Sequence, residues 1–124
     1  MKLELESLTR ETYSITPKLD GKRLFVKLAG TFDMTSAAPL QAYLEAVRSE
    51  ARRLRILELL IDVSEVYYLG SSCIKCFVSL TVNLQRGTAG MLLRLLINSR
   101  LDWQERAFAV LSRLAPGRFV VQPI

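Results

Sequence analysis

Between Thr35 and Leu54 the apolar residues Leu40, Tyr43, Leu44, Val47, Ala51 and Leu54 recur at three- and four-residue intervals, while Gln41, Glu45, Arg48 and Arg52 take the other side. That spacing predicts an amphipathic helix. Thr35 or Ser36 is placed to cap its start, and Pro39 falls in the first turn, where a missing N–H is tolerated. The next segment, Leu57 to Val63, is nearly continuous apolar sequence, which predicts a central strand covered on both faces. A second helix is predicted from about Ser72 to Leu84, ending near Gly87, and a second apolar strand from Met91 to Ile97. Asp102, with Glu105 three residues on, reads as the N-cap of a third helix with a capping-box pattern. Trp103, Ala107, Val110, Leu111 and Leu114 form the expected buried stripe of that helix, Pro116-Gly117 ends it, and Phe119 to Gln122 reads as a last short strand.

Upstream of these elements, Tyr13–Pro17 and Arg23–Gly30 read as two strands joined by the turn Leu19-Asp20-Gly21-Lys22, an Asp-Gly hairpin signal. In the second strand Leu24, Val26 and Leu28 alternate with Phe25 and Lys27, the pattern of a strand exposed on one face. Residues 1–12 alternate weakly, through Leu3 and Leu5, among charges, and are expected to be a tail or an extra edge strand. Two strands followed by a βαβαβ alternation predict an α/β fold. Its mixed, largely parallel sheet has four to five strands and three main helices, and it forms a single domain over residues 13–124.

Composition narrows the function classes. With 50% hydrophobic and 23% charged residues in 124, the chain can bury a core and is not of the disordered class. No apolar run approaches the roughly 20 residues that a spanning helix needs, so no membrane insertion is expected. The opening Met-Lys-Leu-Glu-Leu-Glu lacks the basic head and apolar body of a signal peptide, and a cytoplasmic location is the expectation. The absence of histidine removes the commonest metal ligand and acid–base group, which argues against catalytic residues, a metal site or a cofactor. A net charge of +5 suits nucleic acid, an anionic surface or an acidic protein. Arg48, Arg52, Arg53, Arg55, Arg94, Arg100, Arg106 and Arg113 are spread over several elements without interleaved aromatics, which argues against nucleic acid.

In a parallel α/β sheet, ligand and signalling residues collect where a strand's carboxyl end passes into the next helix, here Asp62 to Ser72. Ser71 and Ser72 fall at the start of the second helix, where backbone amides and the helix dipole favour an added phosphate, and Gly70 just before them supplies backbone freedom. Helical phase places Ser72 in one polar stripe with Lys75, Ser79, Asn83 and Arg86, and Ser71 to its side, so Ser72 is the better modification site and Ser71 the alternative. The plain reading of both serines is that they only cap the helix. Tyr67 and Tyr68 precede the site and serve either an interface or the packing of the turn.

The segment Leu-Ile-Asp-Val-Ser-Glu-Val-Tyr-Tyr-Leu-Gly-Ser-Ser, residues 60–72, resembles the signature of STAS domains, in which a strand ending in Asp-Leu-Ser leads into Asp-Ser-Ser/Thr-Gly. Leu28-Ala29-Gly30-Thr31-Phe32-Asp33 looks like that family's Gly-Glu-Leu-Asp strand end, and the resemblance runs over about residues 13–122. Gly70 stands where the family usually has Asp, Cys73 where it has Gly, and Lys75 where a small residue is common.

The resemblance implies a non-enzymatic regulatory protein of the anti-sigma factor antagonist type. In that type the second hydroxyl of the motif, here Ser72, is phosphorylated by a serine kinase of ATPase fold that is itself the anti-sigma factor, and a phosphatase reverses the modification. The partner-binding surface implied comprises Asp33, Tyr68, Gly70, Ser71, Ser72, Lys75 and Ser79, on a monomer or weak homodimer. Two other readings stand beside it. One is a constitutive STAS docking subunit of a kinase, transporter ATPase or signalling complex. The other is a thiol redox protein built on Cys73-Ile-Lys-Cys76, against which Cys73 points away from the polar stripe and toward the core.

Overall fold

Reversal of the chain at Gly21-Lys22 sets the first pairing of the sheet. In the computed structural model, which describes residues 2–87, 91–115 and 117–124, β2 (Tyr13–Asp20) and β3 (Arg23–Phe32) pair antiparallel from Asp20↔Arg23 to Tyr13↔Gly30. Of the two loop residues only Gly21 has a positive φ, 61°. The turn is therefore of the II′ kind, one residue later than the Asp-Gly signal suggested. Ahead of it, β1 (Leu8–Thr9) adds two residues to the outer edge of β2, so the sheet has six strands in sequence order rather than four to five.

The remaining strands run parallel to β3. They are β4 (Glu58–Leu69), β5 (Leu92–Ile97) and β6 (Phe119–Pro123), linked by α1 (Ala37–Arg53), α2 (Ser71–Gly87) and α3 (Asp102–Leu114). Each new strand is added on the same side of the last, and parallel crossovers share one hand, so all three helices fall on one face. Their inward residues Leu44, Phe77 and Phe108 join Leu59, Ile61, Leu93 and Leu95 in one core cluster. β4 is therefore not covered by helices on both faces: Leu60 is buried but lies outside that cluster, and Leu92, Arg94 and Leu96 of β5 alternate as half-buried residues on the same open side.

Residues 2–6 lie along the outer side of α1. The Glu4 N–H donates to the buried Glu50 carboxylate at 2.9 Å, Arg53 donates to the Lys2 carbonyl at 2.6 Å, and the Tyr43 hydroxyl donates to the Glu6 carbonyl at 2.8 Å. Arg53 bonding, against the opposing effect of burial, holds Glu50 below the usual carboxylate range.

β4 carries two extra residues relative to β3. Lys27↔Asp62 is followed by Ala29↔Glu65, and Gly30↔Val66 by Thr31↔Tyr68, so Tyr67 is a bulged residue. Gln104 of α3, fully buried, fixes the first irregularity. Its side-chain amide donates to the Val63 and Val66 carbonyls at 2.7 and 2.9 Å, while its carbonyl accepts the Asn98 N–H at 2.8 Å. This polar anchor sets the rotation of α3. Gln104, Phe108 and Leu111 face inward, Trp103 and Leu114 are half-buried against the core, Ala107 is half-buried and Val110 is exposed. The expected stripe therefore holds fully at Leu111, in part at Trp103 and Leu114, and fails at Val110. The expected cap also fails: Leu101 is the N-cap, without a side-chain bond, and Asp102 is the first helical residue. Gly117 follows the helix at φ 80°, whereas Pro116 lies outside the described residues.

Two substitutions test this frame. Gln104→Leu strands two carbonyls and an N–H in the interior, and a loss of about 2–4 kcal/mol in denaturant unfolding is expected. At Gly30, φ is 104° and an added Cβ would lie 2.3 Å from the Thr12 carbonyl oxygen. Gly30→Ala is expected to cost about 2 kcal/mol or more, read as a fall in Tm.

Candidate functional site

The carboxyl ends of β3 and β4 lie side by side and deliver the two predicted motifs to one place. The Gly70 N–H donates to the Phe32 carbonyl at 2.9 Å, which joins the strand ends directly. Asp33 then caps a short 3-10 turn (Met34–Ser36), its Oδ1 accepting the Thr35 N–H at 2.9 Å, the Thr35 hydroxyl at 2.5 Å and the Ser36 hydroxyl at 3.3 Å. The Thr35 hydroxyl bond leads the hydrogen bonds that hold the Asp33 carboxyl below its ordinary range. Asp33 thus caps the 3-10 turn that leads into α1, not α1 itself. Ser36, the α1 N-cap, makes no side-chain cap bond, and Thr35 spends its hydroxyl on Asp33.

At the start of α2 the first helical bonds run from the Cys73 and Ile74 N–H groups to the Gly70 carbonyl, both at 3.0 Å. Among the described residues neither the Ser71 nor the Ser72 hydroxyl has a hydrogen-bond partner, so neither serine spends its side chain on capping. The two differ in access in the opposite sense to the helical-phase argument: Ser71 is exposed and Ser72 half-buried. The reason is where the helix begins. Ser71 is its first residue and projects from the open end, whereas Ser72 lies one step toward the packed side. Lys75 is exposed and Ser79 half-buried farther along α2, and Tyr68 is 55% exposed beside Gly70.

The departures from the STAS pattern have definite geometry. Gly70 does not occupy left-handed φ, and a Cβ there would make ordinary contacts, 3.5 Å to the Phe32 oxygen and 3.8 Å to Tyr68. Its conformation does not demand glycine, contrary to the expected role as a source of backbone freedom, and the space there admits a Cβ. Cys73 and Cys76 are both buried. The Cys73 thiol donates to the Asp33 carbonyl at 3.3 Å, and that of Cys76 lies 3.4 Å from the Ser72 carbonyl and 3.5 Å from the Ala37 carbonyl. These contacts tie the first turn of α2 to the beginning of α1. Burial pushes the Cys73 thiol up to about 11 and raises that of Cys76.

Sequence reasoning missed three contributors. Met34, 77% exposed in the turn after Asp33, stands on the same rim with no periodicity to mark it. Gln104 and Asn98 support the site from below, the Asn98 side-chain amide donating to the Ser64 carbonyl at 3.2 Å. A glutamine amid charged neighbours carries no signal of burial in the sequence. A helix phase drawn through Phe108 instead of Trp103 would have found it.

No family model and no curated protein matches this chain. Solved structures do. An anti-sigma factor antagonist from Mycobacterium paratuberculosis is similar at 19% identity with a TM-score of 0.69, over 94% of this chain and 92% of that one. The Bacillus cell fate determinant SpoIIAA, in its phosphorylated form, is similar at 14% identity and TM-score 0.59, over 86% and 89%. The STAS domain of an anti-sigma factor antagonist from Rhodobacter sphaeroides is similar at 16% identity and TM-score 0.52, over 90% and 100%. The chain has the fold of the anti-sigma factor antagonists, the SpoIIAA-like STAS fold.

Proposed function

We propose that this protein is a non-enzymatic regulatory subunit of the anti-sigma factor antagonist kind, switched by phosphorylation of Ser72. The observation that carries the reading is the pair of unpartnered hydroxyls in the first turn of α2, Ser71 exposed and Ser72 half-buried, joined through the Gly70–Phe32 bond to the Asp33 turn. The fold likeness to antagonists, one of them solved in a phosphorylated form, supports it. The partner in this reading is a cytoplasmic serine kinase of ATPase fold that is itself an anti-sigma factor, with a phosphatase to reverse the modification. Its contact surface is Asp33, Tyr68, Gly70, Ser71, Ser72, Lys75 and Ser79.

The physics of the switch is local. A phosphate adds about −1.5 to −2 charges at pH 7, and the α2 amides and dipole stabilise it, so the fold itself is kept. On a surface that also carries Asp33 and Lys75, the same group adds a large negative charge, which repels an acidic partner face and penalises desolvation against an apolar one. Among the described residues no helix is long and apolar enough to cross a membrane, in keeping with a diffusing regulator.

The redox reading of Cys73 and Cys76 fares worse, because both thiols are buried and held in the neutral form. A raised pKa leaves little thiolate at neutral pH.

Phosphopeptide mapping of the protein from its own cells, under growth and under stress, checks the switch. Phosphate on Ser72 whose fraction changes several-fold with condition is expected, abolished by Ser72→Ala and retained in Ser71→Ala. Phosphate confined to Ser71, or absent throughout, rejects Ser72 as the switch. Alkylation of the native protein at pH 7.4 is expected to run at least about 100-fold slower than in denaturant, and to accelerate about tenfold per pH unit toward the Cys73 value of about 11. Fast labelling of Cys73 at neutral pH restores the redox reading.

A further inference from the structure

Anchoring of α3 by Gln104 leaves an apolar flank without a partner. Trp103 is half-buried against Phe108, with ring centroids 6.4 Å apart, Ala107 is half-buried, and Val110 is 47% exposed. Across from them stands the end of β4. Successive strand residues ordinarily point to opposite faces, yet Tyr67 and Tyr68, 64% and 55% exposed, line one groove together. The bulge at Tyr67 makes this arrangement available, since bulges re-aim side chains. With Ile74 of α2 as a further wall, the groove is an open depression of about 470 Å³.

One cation faces this apolar lining. Arg106 is exposed and, among the described residues, makes no ion pair or hydrogen bond. The side chains of Arg52, Arg55, Arg86, Arg100 and Arg113 are likewise unpaired among the described residues, so what distinguishes Arg106 is its place in the groove lining. Tyrosine, tryptophan and arginine, which line this solvent-open depression, are the residue types that dominate protein–protein binding energy once a partner excludes water from them. The groove is also continuous with the phosphoacceptor surface, since Tyr68 borders both and Ile74 lies three residues beyond Ser71 on α2.

We infer that the groove between the end of β4 and α3 is a docking site for an acidic, apolar-anchored segment of a protein partner. An aromatic or aliphatic side chain of that segment seats between Tyr67, Tyr68 and Trp103, and a neighbouring carboxylate pairs with Arg106. The net charge of +5 attracts such a segment over longer range. This deepens the reading of the chain as a partner-binding regulator and rests on it, but it does not require that Ser72 be phosphorylated.

Trp103 is the single tryptophan of the chain, so its emission reports occupancy of the groove directly. The test selects binders to the full chain from a displayed library of random dodecapeptides and titrates the enriched peptides against Trp103 fluorescence. Peptides that combine an aromatic or aliphatic residue with Asp or Glu are expected. They should shift Trp103 emission and lose at least tenfold in affinity on Arg106→Glu and on Tyr68→Ala, both surface changes whose folding is checked by circular dichroism. Basic or uncharged consensus peptides, peptides insensitive to Arg106→Glu, or no enrichment at all overturn the proposal, even where Ser72 is found phosphorylated. Binding that survives Ser72→Asp supports the groove while removing Ser72 from its control, and binding weakened by Ser72→Asp supports a groove that the switch governs.

Discussion

A carboxamide sealed from water must find its partners inside the protein, and that of Gln104 finds three: the Val63 and Val66 carbonyls and the Asn98 N–H. Leaving such groups unpaired costs more than any single apolar contact near them returns, so polar geometry outranks the hydrophobic stripe in deciding how α3 is turned. From that rotation follow the inward placing of Phe108 and Leu111, the irregular course of β4, and the outward lean of Trp103 toward the two tyrosines. The site at the carboxyl ends of β3 and β4 thus stands on a foundation laid by an element that comes later in the chain.

The architecture was legible where one signal acted alone. α1 obeys its apolar spacing, with Leu40, Leu44, Val47 and Ala51 all buried, and β3 obeys its alternation through Leu24, Val26 and Leu28. The α/β order and the three helices follow from those patterns. Legibility failed where tertiary contacts compete with local ones. The run from Leu57 to Val63 reads as doubly covered, because continuous apolar sequence cannot tell a helix-packed face from one shielded by neighbouring strand side chains, as Leu60 is. The strand continues to Leu69 because bulges absorb the polar interruption at Asp62 and Ser64, and a period-two reading cannot express a bulge. Asp102 has the residue type of a cap, but the turn Asn98–Leu101 fixes the helix entry first, through the Leu101 N–H to Asn98 carbonyl bond.

The candidate site was legible in position more than in detail. Gly70, Ser71, Ser72 and Asp33 do meet, because parallel neighbours end together. The relative access of the two serines was misjudged, since helical phase ranks faces but not how far the first residue of a helix projects beyond its neighbours. The cysteines illustrate the reverse. Their phase pointed inward, and the two thiols lie buried near the Asp33 and Ala37 carbonyls, binding the starts of two helices where the related pattern has a glycine.

The ends of the sheet carry a different consequence. One border is finished by the two residues of β1 and the strap leading to them, and the other by a strand that closes at Pro123, which has no amide hydrogen to offer a newcomer. β1 covers only Ser14 and Ile15 of the β2 edge, and in the stretch beyond it Pro17 lacks an amide hydrogen. Among the described residues a proline thus interrupts the donor ladder at each border, a feature that hinders templated growth into fibrils. The helix starts and the aromatic groove lie open on a molecule whose sheet borders are each interrupted by a proline.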